Sequence, residues 1–322
     1  MTKGLHRFIL LTTCATFILI VAGALVTSNG AGLAAPDWPL SYGQVFPRMV
    51  GNLFYEHGHR LIASTVGFLV LSLNVYLWVR TYWLRRETPR RVLRFAAVAL
   101  VLVCVQGLLG GITVLWLLPL AVSTAHATLA QLFFCWMVTF TVLTAPGWQR
   151  EREPLQTTEE GWSLPVWCGA ATAAVFVQLI LGATLRHSAS WDEHLPTSLL
   201  VAHVTGACLV ALILGSALVT MLRRHGGERY LARPAMLACA LLVTQILLGV
   251  AAYLTRLRSP DEPQPLHPMV GVTVAHVATG ALLLAVTLIL TLRSFRVLKR
   301  SVQPSAVSFQ PLEATPKLTA DR

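Results

Sequence analysis

Charge is scarce in this chain. Only 12% of its 322 residues are Asp, Glu, Lys or Arg, whereas 55% are hydrophobic. A composition this poor in charge excludes a disordered polymer and a water-soluble enzyme of ordinary surface. Cysteine is equally uninformative as chemistry. The six (Cys14, Cys104, Cys135, Cys168, Cys208, Cys239) all fall inside long apolar runs and none has CxxC spacing. That removes a cysteine metal centre, and it removes a disulfide in the polar loops where one would be favoured. Period-2 alternation is also missing, which excludes a membrane β-barrel.

What is present is apolar sequence in runs of about 20 residues, the length that crosses a bilayer as a helix. Eight such runs are predicted, at roughly 8–28, 55–79, 93–117, 120–145, 164–185, 197–222, 233–254 and 270–292. The first is read as a retained helix of the bundle rather than a cleaved signal. The net charge of +11 does not point to nucleic acid, because its distribution is one-sided. The segments at 80–94, 149–152, 223–233 and 293–300 hold most of the arginines. The alternate loops hold only Arg48, Arg186, Arg256 and Arg258, with Arg60 just inside the second run. By the positive-inside rule both termini are expected to be cytoplasmic, in a multi-pass protein of the bacterial plasma membrane. Residues 301–322 read as a disordered cytoplasmic tail.

Four histidines stand out against this background. His59, His126, His203 and His276 are separated by 67, 77 and 73 residues and lie near the starts of alternate runs. Alternate spans run in the same direction, so all four imidazoles are expected at one depth, toward the outer face. Ionisable groups inside a membrane are rare and usually functional. Imidazole is a standard axial ligand of haem iron, so two pairs at one depth suggest two porphyrin sites. The alternative is interhelical hydrogen bonding or a proton relay. No cysteine or carboxylate cluster completes a small-ion coordination sphere, which favours haem over zinc or copper.

A pattern recurs around these histidines. Gln106/Gly110, Gln178/Gly182 and Gln245/Gly249 form Gln-x-x-x-Gly in the runs preceding three of them; the first run has Gly23 but Leu19 in place of Gln. Four residues beyond each histidine stands Ala63, Ala130, Ala207 or Gly280, leaving room for a flat ring or for close helix packing. The Gln side chains could serve a porphyrin or a neighbouring helix. The repeat predicts an all-α polytopic fold of eight transmembrane helices in two pseudo-twofold-related four-helix bundles. They divide as residues 1–150 and 151–300, with the tail at 301–322.

The halves are chemically unequal. Glu56 precedes His59 by three residues and shares its helix face, whereas Leu200 and Thr273 hold that place before His203 and His276. Such a carboxylate can move a proton or position a ligand, or simply pair with Arg60 one turn on. This predicts a reacting first half and an electron-relaying second half. His57 is expected to point away from that face, and His187, His194 and His267 to be solvated loop residues. The longest outer loop, 29–54, contains Pro36-Asp37-Trp38-Pro39-Leu40-Ser41-Tyr42-Gly43 and reads as a lid or as an interfacial anchor. Arg186, Arg256 and Arg258, and Arg60 for the first half, could meet porphyrin carboxylates.

Over about residues 8–296 the chain resembles the haem A synthase family. The resemblance rests on eight spans in two halves, Glu56-x-x-His59-Arg60, His126, His203, His276 and the Pro-Asp-Trp-Pro loop. It implies oxidation of the C8 methyl of haem o to a formyl group, giving haem a for haem-copper oxidase assembly. It further implies Glu56, His59 and His126 at the substrate haem o, and His203 and His276 as ligands of a haem b cofactor. Haem O synthase and a second copy of the chain are the protein partners it implies; the electron donor is not identified. Many bacterial members carry a cysteine pair in the first outer loop, and this chain has none there. A non-enzymatic di-haem cytochrome b and a haem transporter or chaperone remain as alternatives from the residues alone.

Overall fold

In the computed structural model, residues 2–150, 153–157, 163–188, 196–257 and 267–300 are described. The tail reading for 301–322 and the loop reading for His194 lie outside them. Eight helices of 25 to 32 residues are long and apolar enough to cross a membrane. They are α1 (Lys3–Ser28), α2 (Asn52–Trp78, continued by one wide turn over Val79–Trp83), α3 (Arg90–Leu115), α4 (Leu120–Thr144), α6 (Leu164–Ser188), α7 (Thr197–His225), α8 (Arg229–Leu257) and α9 (His267–Val297). A single-turn helix, α5 (Pro146–Gln149), lies between the halves. The protein is therefore a multi-pass α-helical membrane protein. Most helices extend past the apolar runs into their basic ends, because backbone hydrogen bonding continues where the side chains turn polar.

Local chemistry sets the helix ends. Thr2 caps α1, its hydroxyl accepting from the Leu5 N–H at 3.4 Å. Pro89, Pro119 and Pro196 stand immediately before α3, α4 and α7, where a missing N–H costs nothing. Pro234 lies inside α8 and cannot donate to the Tyr230 carbonyl one turn back. Arg293 of α9 donates Nη1–H to that carbonyl at 3.0 Å and places its guanidinium 4.5 Å from the centre of the Tyr230 ring.

Each half closes on itself. α1 packs on α2 and α4, and α3 on α2 and α4; α6 packs on α7 and α9, and α8 on α7 and α9. The same polar contact recurs in both rings. Thr13 and Thr141 join α1 to α4 at 2.8 Å, and Thr172 and Thr291 join α6 to α9 at 2.9 Å. Two apolar cores fill the bundles. One is built on Leu73, Phe133 and Phe140, the other on Leu214, Leu218 and Leu284. Large side chains elsewhere, such as Leu108, Leu212 and Leu247, face outward, as lipid-facing positions do.

The bundles meet through α1 and α4 on one side and α6 and α9 on the other. Ile20, Phe134 and Val138 pack there against Ala281 and Ala285. At the histidine-bearing end, Arg186 donates from Nη2 to Ser28 at 2.8 Å across the halves. At the opposite, basic end, β1 (Leu155–Thr157) pairs in parallel with β2 (Leu298–Arg300). Nearby, the Arg296 guanidinium lies 4.4 Å from the centre of the Trp148 ring and donates to the Arg150 carbonyl at 2.6 Å.

Ala281 is fully buried in the seam between the bundles. Ala281→Leu overpacks that seam and is expected to destabilise the protein by about 1–3 kcal/mol. A lowered unfolding midpoint in detergent, with α-helix content retained below it, is the measurement that checks this.

Candidate functional site

The four histidines share one local geometry, created by glycine. A Cβ built on Gly23 would lie 3.1 Å from Cε1 of His59; on Gly110, 3.1 Å from Cε1 of His126; on Gly182, 3.0 Å from Cε1 of His203; on Gly249, 3.1 Å from Cε1 of His276. Each imidazole therefore rests on bare backbone of the span before it. In all four, Cε1 is the ring atom nearest that Cβ position. The arrangement joins α1 to α2, α3 to α4, α6 to α7 and α8 to α9.

Glutamine completes three of the four contacts. Gln106 donates Nε2–H to the His126 carbonyl at 3.0 Å and lies 3.4 Å from its Nε2. Gln178 donates to the His203 carbonyl at 2.7 Å and lies 3.0 Å from its Nδ1. Gln245 lies 3.3 Å from Nε2 of His276. These glutamines thus serve the neighbouring helix and its imidazole. The small residue beyond the histidine leaves no slot in the α9 case: a Cβ on Gly280 would meet Leu179 at 3.0 Å and Gln245 at 3.1 Å.

The donor set fits a porphyrin metal. Among the described residues no group of three or more His, Cys, Asp and Glu gathers as a small-ion site. Instead the rings come in pairs. The ring centres of His203 and His276 are 6.4 Å apart, with planes inclined at 76°. Two imidazoles on opposite sides of one metal atom have centres about 6 Å apart, from a metal–nitrogen bond of about 2 Å and roughly 1 Å within each ring. His59 and His126 are close enough to interact electrostatically. The Nδ1 atoms of His59, His126 and His276 are buried without a hydrogen-bond partner among the described residues.

Above the first pair, α2 grips the loop that precedes it. Glu56, 4% exposed, accepts from the Ala35 N–H through Oε2 at 2.8 Å and pairs with Arg60 through Oε1. Arg60 donates Nη1–H to the carbonyls of Asp37 at 2.8 Å and Leu40 at 2.6 Å. Asp37 in turn accepts from the Tyr42 N–H at 2.7 Å and the Gly43 N–H at 2.8 Å, which ties the loop's hairpin. The Trp38 indole lies flat on Gly111 of α3, where a Cβ would come within 2.7 Å of its Cδ2. The Glu56–Arg60 pair and the Glu56–His59 spacing thus coexist, and the loop is an ordered cap.

Two expectations are corrected here. His57 is not a bystander: it is 4% exposed and its Nδ1 lies 2.9 Å from Ser41 Oγ of the loop. It is engaged because the loop folds back over the face that His57 presents. His187 is not a loop residue. It lies in the last turn of α6 and within electrostatic reach of His126. Arg186 binds Ser28 and is within electrostatic reach of Arg256; Arg258 lies outside the described residues.

Comparison with known proteins places the chain beside named relatives. A family model described as cytochrome oxidase assembly protein matches residues 49–191. The haem A synthase of Shouchella clausii is 26% identical over 79% of this chain and 88% of the relative. That of Bacillus licheniformis is 24% identical over 80% and 88%, and that of Symbiobacterium thermophilum 29% identical over 77% and 85%. Over about four-fifths of its length the chain is thus similar to haem A synthases. The glycine cradles were marked by sequence alone only as part of a repeat.

Two outcomes follow. Gly182→Val forces His203 off its support and is expected to lower haem affinity about tenfold or more, read by haem titration of the purified protein. The Asp37 carboxyl is held below its ordinary value of 3.8, mainly by the Gly43 N–H and further by the Tyr42 N–H and Arg60, against some desolvation. A depressed carboxylate stabilises the loop above its unfolded pKa, and this is lost as pH falls through the lowered folded value. The loop is therefore expected to resist proteolysis down to roughly pH 4, and Asp37→Asn to be cleaved faster at neutral pH.

Proposed function

We propose that the chain is a haem A synthase, an oxidoreductase that converts the C8 methyl of haem o to a formyl group and so supplies haem a for haem-copper oxidase assembly. One observation carries this reading: of two matched pairs of glycine-cradled imidazoles, the first has a buried carboxylate, Glu56, one turn before His59, where the second half has Leu200 and Thr273. A pure electron carrier has no use for that inequality.

In this reading residues 1–150 hold the substrate haem o between His59 and His126, and residues 151–300 hold haem b between His203 and His276. The 6.4 Å spacing of the last pair supports the second assignment. Haem iron supplies the redox chemistry when bound. The protein's task is position. The cradles fix the imidazoles, and the loop over Ala35–Gly43 keeps bulk water from the first site. Glu56, held at both oxygens, presents a fixed carboxylate to accept a proton at the reacting edge of the substrate. His203 and His276 would hold haem b, which would supply electron-transfer chemistry to that site. The basic end of the bundle faces the cytoplasm of a bacterial cell, with both termini on that side. Haem O synthase is the natural source of substrate.

The test is mass identification of haems extracted from protein purified with a haem o supply. Haem b together with haem o, its hydroxylated form or haem a is expected. Two equivalents of haem b alone, with haem o available, would instead identify an electron-transfer cytochrome. Glu56→Gln is expected to abolish product while haem b stays bound; unchanged turnover removes Glu56 from the chemistry.

A further inference from the structure

The four histidine supports are alike except in one respect. His126, His203 and His276 each have a glutamine amide against the ring, at 3.4, 3.0 and 3.3 Å. Two of those amides also bond to the backbone carbonyl of the same histidine. A carbonyl can only accept, so the NH2 end of the amide must face it. Each of these glutamines stands one turn before the cradle glycine. On α1 that place is filled by Leu19, which has no donor. His59 keeps its contact with Gly23, but no side-chain amide braces its ring, and its Nδ1 has no hydrogen-bond partner among the described residues.

The backbone beneath His59 is nevertheless firmly held. Glu56, His57 and Arg60 tie the start of α2 to the loop. Any movement there is a rotation of the His59 side chain, opposed by the Gly23 contact and the Leu19 backbone rather than by a side-chain amide. This matters because an iron with two fixed imidazoles has no open position, and a redox site that acts on a bound substrate through an added ligand needs one.

We infer that His59 is the exchangeable ligand of the N-terminal haem, and that Leu19, standing where three other spans carry glutamine, is what leaves it exchangeable. The inference rests on the proposal that His59 and His126 share one haem iron. His126 is the permanent ligand of that pair, and His203 and His276 together form a closed site.

Carbon monoxide binding to the reduced, full-length protein loaded with haem o tests this without reference to turnover. One of the two haems is expected to bind the gas. Leu19→Gln supplies the missing amide and should slow that binding about tenfold at unchanged haem content, while Leu19→Met should leave it as in the native chain. Equal rates in Leu19→Gln and the native protein, both with two haems, overturn the inference. A second comparison does not depend on how Leu19→Gln packs. His59→Ala should retain the N-terminal haem with a five-coordinate, high-spin spectrum, whereas His126→Ala should lose it; the reverse order of retention overturns the assignment. Native protein that holds haem only in the C-terminal half defeats the underlying site reading instead, so the two failures are distinguishable.

Discussion

An imidazole pressed edge-on against a bare helix backbone is the contact on which the rest of this structure depends. The fit requires glycine, since any Cβ at Gly23, Gly110, Gly182 or Gly249 would crowd the ring. It also sets how near consecutive spans approach. Lipid offers no hydrogen bonds, so a polar ring buried this way needs its partners within the protein. The glutamine amides provide them at three positions. Ring orientation, helix spacing and the supply of polar partners are thus one problem solved at one place and repeated four times.

The repetition gives two similar bundles, and local differences are laid over it. The second bundle places two braced rings at a spacing suited to one metal atom. The first has an unbraced ring and a loop fastened over it. The bundles are joined at both ends, through Arg186 and Ser28 on the histidine face and through β1, β2 and Arg296 on the basic face.

Much of this was legible in the residues. The eight spans follow from run length alone, because no other backbone arrangement survives in lipid. The histidine set was legible because spacing and depth repeat. What stayed hidden depends on contacts between elements. Gln-x-x-x-Gly was visible as a period, but not that its target is the histidine of the next span. His57 looked idle on its helix, since nothing in a linear pattern says that a loop 16 residues earlier returns to meet it. His187 was misplaced for a simpler reason: the apolar run ends near residue 185, while α6 continues to Ser188.

The cap over the first site is shaped without any covalent bond. Asp37 closes the hairpin through two N–H groups and Arg60 gathers two carbonyls, while all six cysteines lie in the spans as free thiols. The outer surface of this protein is accordingly indifferent to thiol oxidants and reductants. The cap can therefore form in a compartment with no disulfide-forming machinery.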